Sequence, residues 1–167
     1  MTSPLNPTYR QAFVEGVLHT LKTMCHTTAE CERIVDRKAL ESSGETSIAG
    51  CIQVSNKDSL QTISICFPES TYLGALEALL GERPEALSAE VYDGASEFMN
   101  IIFGHAKRVL NEKGDSIALA LPRVVVGQDF KLPQIDDGTT TLVLFRSPLG
   151  KFHLAFGNQS SKETAHV

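Results

Sequence analysis

Apolar residues recur at helical spacing in three segments of the chain, and each segment predicts a helix with one buried side. The three predicted helices span Pro7–Cys25, Thr71–Leu80 and Leu87–Lys113. Asn6 is a suitable cap for the first, because its side chain can accept from the free backbone N–H groups of the first turn. Ser88 is the expected cap of the long helix, and Gly114 is its expected end.

Six further segments are extended in pattern, since they alternate between apolar and polar residues or are rich in β-branched residues. The predicted strands span Cys31–Lys38, Thr46–Ser55, Leu60–Phe67, Ile117–Val126, Thr139–Arg146 and Lys151–Phe156. The polar turns at 56–59 and 147–150 join two pairs of these strands into hairpins.

The order of elements repeats, because a helix, an extended run and a hairpin occur twice along the chain. This order predicts an α/β (α+β) domain with a pseudo-two-fold repeat of one helix plus three strands. One antiparallel sheet would collect the strands, with the long helices packed on one face. We expect a single domain over residues 1–157 and a polar, disordered tail over residues 158–167.

Composition and charge exclude several classes of protein. The 167 residues are 42% hydrophobic and 21% charged, as expected for a folded chain with a continuous core. The formal net charge of −5 disfavours binding to nucleic acid or to an anionic membrane surface. No apolar run is long enough to span a bilayer, and the first residues do not resemble a signal peptide. These features predict a cytoplasmic protein.

The cysteine and histidine pattern predicts no metal site in this chain. The four cysteines form no CxxC pair, and His19 and Cys25 are six residues apart, which is not the spacing of neighbouring ligands on a helix. We therefore expect the cysteines to be small, buried and reduced. His153 lies in an alternating strand and is expected at the surface.

The long helix carries an unusual polar ridge. At about 100° per residue, Asp93, Glu97, Asn100 and Gly104 fall on one line, with Ile101 and Phe103 at its margins. A polar side is ordinary for a surface helix, and an E-x-x-N spacing alone is weak evidence. Asn and Gly, however, are poor residues for the interior of a helix, and packing does not require them on an exposed side. The ridge is therefore interpreted as a docking surface.

The segment from Asp93 to Asn100 (DGASEFMN) resembles the [D/S]-x3-E-x2-N pattern of the CheC/CheX/FliY phosphatases of bacterial chemotaxis. Pro122 follows at about the spacing seen in that family. On the first helix, Glu15 is present, but Leu18 stands where the matching Asn would be. The resemblance covers nearly the whole chain and is closest to the CheX-like members, which carry the pair on the second long helix only.

This resemblance implies a function and a set of roles. The substrate would be the phospho-aspartate of a CheY-type response regulator, with Glu97 and Asn100 as catalytic residues. Asp93, Ile101 and Gly104 would contact the partner. Mg²⁺ is expected in the regulator, and no cofactor is expected on this chain. The alternative hypothesis is a non-catalytic module that binds a regulator, or dimerises, through the same helix face.

CheX-like proteins are homodimers, and the predicted sheet offers a physical reason to expect the same here. Thr139–Arg146 and Leu60–Phe67 are the candidate edge strands, since they contain no proline and only one charge between them. Pairing of such edges across a two-fold axis would satisfy their backbone N–H and C=O groups. The alternative is a monomer whose own loops cover the edges.

Overall fold

The computed structural model describes residues 7–36, 46–56, 59–114, 117, 122–126 and 141–159. Its helices are α1 (Pro7–Met24), α2 (Glu69–Leu80) and α3 (Asp93–Glu112), and a 3₁₀ turn spans Ala89–Val91. Its strands are β1 (Glu30–Asp36), β2 (Ile48–Asn56), β3 (Ser59–Phe67), β4 (Arg123–Val126), β5 (Thr141–Ser147) and β6 (Gly150–Gln159). Of these described helices, none is both long and apolar enough to cross a membrane.

The six strands form one sheet in the order β1-β5-β6-β3-β2-β4, and every pair is antiparallel. Phe156 on β6 pairs with Ile63 on β3, and Phe67 lies four residues farther along β3, so the two rings share a face of the sheet. Phe13 of α1 contacts Phe156, and Phe98 of α3 contacts Phe67. The predicted antiparallel sheet with both long helices on one face is therefore confirmed.

The predicted edge strands are wrong. β5 lies between β1 and β6, and β3 lies between β2 and β6, so both predicted edges are inside the sheet. Among the described strands, β1 and β4 lie at the edges of the sheet. Each hairpin pairs with further strands from elsewhere in the chain, and the composition of a single strand does not indicate which of its sides will be paired. β1 carries several charges and a bulge between Cys31 and Arg33, which protect an edge from pairing. β4 has one charge, Arg123.

Several predicted boundaries also move. The long helix begins at Asp93 rather than Leu87, because a 3₁₀ turn comes first, and Ser88 precedes that turn without a side-chain cap. The described fourth strand spans Arg123–Val126, after Pro122, and residues 118–121 of the predicted strand lie outside the described residues. β6 continues to Gln159, two residues into the segment predicted as a tail. Asn6 and residues 160–167 lie outside the described residues.

Two glycines let α3 pack closely on both sides. A Cβ atom on Gly16 of α1 would lie 2.8 Å from the carbonyl oxygen of Ile102 on α3. A Cβ atom on Gly50 of β2 would collide with the backbone of Ala95 on α3. Helix α3 is therefore held between α1 and β2 by contacts to its own backbone, and its opposite side faces outward.

Candidate active site

The outward side of α3 carries the ridge that the sequence predicts. Asp93, Glu97, Asn100 and Gly104 are all exposed. The opposite side is buried and consists of Ala95, Phe98, Met99, Ile102, Phe103, Ala106 and Leu110. Phe103, expected at the margin of the ridge, belongs to the core at 2% exposure, whereas Ile101 is half-buried beside the ridge. The acid and the amide are thus one turn apart on one exposed surface.

Gly104 leaves free space beside Asn100. A Cβ atom at Gly104 would meet no atom within 4 Å in the described part of the chain. Gly16 and Gly50, in contrast, are glycines because neighbouring backbone leaves no room for a side chain. Packing within the chain therefore does not explain a glycine at position 104, which costs about 1 kcal/mol of helix stability relative to Ala.

The amino-terminal end of the ridge is fixed by α2. A Cβ atom on Gly94 would lie 2.9 Å from Cδ2 of Leu76, so α3 begins in close contact with α2. The Tyr72 hydroxyl donates a hydrogen bond to the carbonyl of Val91, and burial raises the pKa of Tyr72 to about 12, so it remains a donor at physiological pH. Asp93 lies in the first turn of α3, where the helix dipole favours a carboxylate.

The matching surface of α1 lacks the amide. Glu15 and Leu18 are both half-buried, and Leu18 packs against the core. An apolar side chain can neither accept a hydrogen bond from water nor donate one to a phosphoryl oxygen. In the described part of the chain, the acid followed by an amide three residues later lies on α3 and not at the matching positions of α1.

A histidine pair lies beside the ridge, between α1 and α3. The rings of His19 and His105 stack with centroids 4.6 Å apart, and Nη2 of Arg108 lies 3.2 Å from Nδ1 of His105. Gly16 contacts Ile102, and three residues later along both helices His19 contacts His105, so α1 and α3 run parallel. The sequence gives no local signal for this pair, because packing between helices brings the rings together.

The cysteines and His153 differ in part from their predictions. Cys25, Cys51 and Cys66 are buried thiols, but Cys31 is exposed on edge strand β1. Burial raises the pKa of Cys25 to about 11, which keeps this thiol protonated. His153 is not an ordinary surface residue, because it lies on inner strand β6 opposite Cys66, and burial lowers its pKa to about 4. Among the described residues, no group of three His, Cys, Asp or Glu side chains could hold a metal ion.

Solved structures show which class of protein has this fold. A CheC-like superfamily protein from Shewanella sp. PV-4 is 26% identical, with a TM-score of 0.81 over 93% of this chain and 100% of that chain. The chemotaxis protein CheX from Vibrio vulnificus is also 26% identical, with a TM-score of 0.78 over 90% and 99% of the two chains. The chain thus has a CheC-like fold, with one Glu/Asn ridge on an outward helix face.

The family model described as chemotaxis phosphatase CheX matches residues 48–146, more than half of the chain, and the protein belongs to this family. A more distant structure with the same fold comes from the CheX–CheY–BeF3–Mg²⁺ complex of Borrelia burgdorferi, at 17% identity and a TM-score of 0.68 over 91% and 98% of the two chains. Among curated proteins, no sequence matches this chain significantly.

Proposed function

We propose that this protein accelerates hydrolysis of the phospho-aspartate of a CheY-type response regulator, in chemotaxis or a related two-component pathway. The observation that carries the proposal is the exposed pair of Glu97 and Asn100 on α3, followed by a glycine with free space above it. Membership of the CheX family supports the chemistry, and the Borrelia burgdorferi relative was solved in complex with CheY, BeF3 and Mg²⁺.

The proposed chemistry requires little from the phosphatase beyond positioning. An acyl phosphate is already reactive, and Mg²⁺ in the regulator neutralises part of the developing charge. The remaining barrier lies in placing a water molecule in line with phosphorus. Asn100 suits this task because its amide oxygen accepts from water, its NH₂ group donates, and it stays neutral beside the phosphoryl group.

Glu97 has a different role in this proposal. A carboxylate next to a phosphoryl group is repelled, so Glu97 is not the general base. It pairs instead with the active-site lysine of the regulator and so fixes the position of α3 over the regulator's site. Asp93 and Ile101 contact the regulator on either side of this pair. Gly104 allows the regulator's backbone to approach the helix one turn beyond Asn100.

The test compares substitutions on α3 with a matched substitution on α1. Asn100→Ala is expected to abolish accelerated decay of the phosphorylated regulator, while Glu97→Ala lowers both binding and rate. Glu15→Ala removes the same carboxyl group from the helix that lacks the amide, and it should keep wild-type activity. Decay is followed with purified CheY-type regulators from the same genome in the presence of Mg²⁺. Because Glu97 and Asn100 are exposed on a helix and Ala is the better helix former, the variants should melt no lower than the wild type.

The competing function is a non-catalytic regulator-binding module. It shares Glu97 and Gly104 with the enzyme but gives Asn100 no task, so Asn100 discriminates between the two. Binding of a beryllofluoride-activated regulator without any acceleration of phosphate loss, in wild type and Asn100→Ala alike, would establish the module and reject the phosphatase.

We also propose that the protein acts as a homodimer in the cytoplasm. β4 is the edge strand suited to pairing, since it carries three valines and has Arg123 as its single charge. Pairing through β4 would leave the ridge of α3 free, because the helices lie on a face of the sheet rather than at its edge.

A further inference from the structure

The carboxyl-terminal half of α3 continues the exposed ridge with two cations. Lys107 and Arg108 lie one turn beyond Gly104, and Arg108 is exposed whereas Lys107 is half-buried. At 1.5 Å per residue, Arg108 lies about 12 Å from Asn100 along the helix axis. Within the part of the chain that the structure describes, neither cation forms an ion pair with a carboxylate. Both charges are therefore available to a partner that docks on Asn100.

The position of Arg108 is set by a histidine. Nη2 of Arg108 lies 3.2 Å from Nδ1 of His105, and a guanidinium group can only donate. Nδ1 must therefore be the acceptor, which places the proton of the neutral ring on Nε2. The ring is held in turn by stacking on His19 of α1. The tether limits the rotamers of a side chain that would otherwise lose more conformational entropy on binding.

The surroundings of His105 favour the neutral ring that this bond requires. The pKa of His105 is lowered, first by burial and then by the nearby charges of His19 and Arg108. The titratable and charged groups that face it are His19 and Glu15 from α1, and Arg108 and Glu112 from α3. The two carboxylates act in the opposite direction but are the smaller contributions. At neutral pH the ring accepts, and Arg108 stays tethered.

From Asp93 to Arg108 the charges of α3 are separated by sign, and Glu112 follows one turn later. Asp93 and Glu97 lie in its first half, and Lys107 and Arg108 lie in its second half. The whole chain carries a formal net charge of −5, so an acidic partner meets repulsion except near the cations. A receiver site that binds Mg²⁺ does so with carboxylates, and phosphorylation adds further negative charge. The basic half of the ridge is complementary to such a surface.

We propose that Lys107 and Arg108 form a basic contact for the carboxylates around the regulator's phosphorylation site, and that His105 positions Arg108 for this contact. The inference rests on the proposed function for the identity of the partner. It assigns a task to residues outside the Glu97–Asn100 pair. The contact determines which regulators dock and in which orientation, while Asn100 carries the hydrolysis.

Kinetics at several salt concentrations test the contact. Arg108→Ala and Lys107→Ala should each raise KM about two- to fivefold, the range for exposed charge pairs, with kcat within twofold of wild type. The double variant should show the product of the two effects and a weaker dependence of KM on salt. Arg33→Ala, which removes the same charge from edge strand β1, is the matched control and should behave as wild type.

The positioning role of His105 needs its own variants. His105→Leu removes the acceptor and should raise KM as much as Arg108→Ala does, whereas His105→Gln supplies another acceptor and should keep KM near the wild-type value. Combining His105→Leu with Arg108→Ala should add nothing to either single change, since both remove one contact. Full additivity, or equal effects of Leu and Gln, would overturn the positioning role.

Binding separates this inference from the proposed function. The probe is a CheY-type regulator from the same genome, loaded with beryllofluoride and Mg²⁺, because its binding is measured without turnover. A protein that binds this probe through Arg108 but hydrolyses nothing refutes the phosphatase and keeps the basic contact. An active phosphatase whose KM and salt dependence are the same in Arg108→Ala, Lys107→Ala and Arg33→Ala refutes the basic contact.

Discussion

Gly104 allows the fold and the docking surface to be tested at one position. Gly104→Ala should stabilise the protein by about 1 kcal/mol, because Ala is the better helix former. The structure shows no cost to offset this gain, since the added methyl group meets no described atom within 4 Å. For a domain of this size, 1 kcal/mol corresponds to a rise in Tm of about 2–4 °C.

A larger side chain separates the two roles. Leu has nearly the helix propensity of Ala, so Gly104→Leu should keep most of the added stability. It also fills the space beside Asn100, and we expect it to raise KM for the phosphorylated regulator at least tenfold, about 1.4 kcal/mol of docking free energy. Stability and activity should therefore change in opposite directions.

Gly16→Ala is the matched control within a helix. It brings the same gain in propensity, but its Cβ would lie 2.8 Å from the carbonyl oxygen of Ile102, and overpacking of this kind typically costs 1–3 kcal/mol. Thermal melts and decay kinetics on the three variants decide the matter. If Gly104→Leu melts above the wild type and keeps its KM, the free space is not used by a partner and the interpretation of the ridge fails.

Two further predictions concern pH and assembly. His153 has a folded-state pKa of about 4, below its ordinary value of 6.5, so its contribution to stability is complete above pH 6.5 and is lost as the pH falls towards 4. In urea titrations at pH 7 and pH 4.5, the wild type should lose about 2 kcal/mol more than His153→Gln, and equal losses would refute the assignment. Light scattering at micromolar concentration should give about twice the 18.2 kDa of one chain, whereas a single-chain mass would reject the homodimer.

Sequence patterns predict the parts of this fold that depend on neighbours along the chain. Each hairpin and the buried stripe of α3 follow from local periodicity, and so does the exposure of Glu97 and Asn100. The start of α3 was less predictable, because Leu87, Val91 and Ala95 keep helical spacing through the 3₁₀ turn that precedes Asp93.

Features that depend on distant parts of the chain could not be predicted in this way. In the hairpins, β2 pairs with β4 and β5 pairs with β1, and each of these partners comes from the other half of the chain. The edges of the described sheet are therefore β1 and β4. His153 lies in a strand that alternates like a surface strand, yet it is flanked by Cys66 and Leu144 on inner neighbours. The contact between His19 and His105 likewise requires the packing of α1 against α3.

The close contacts at Gly16 and Gly50 have a consequence for evolution. Because α3 is located by backbone atoms on both sides, no rotamer change in the core can move the ridge a little way. Substitutions among Leu, Ile and Phe in the core can therefore accumulate without changing the position of the ridge. A lineage that must follow a changing partner will instead vary the outward residues themselves. Substitutions at Gly16 or Gly50 would shift the whole ridge at once, so these two positions should constrain the family's diversification although neither can touch a regulator.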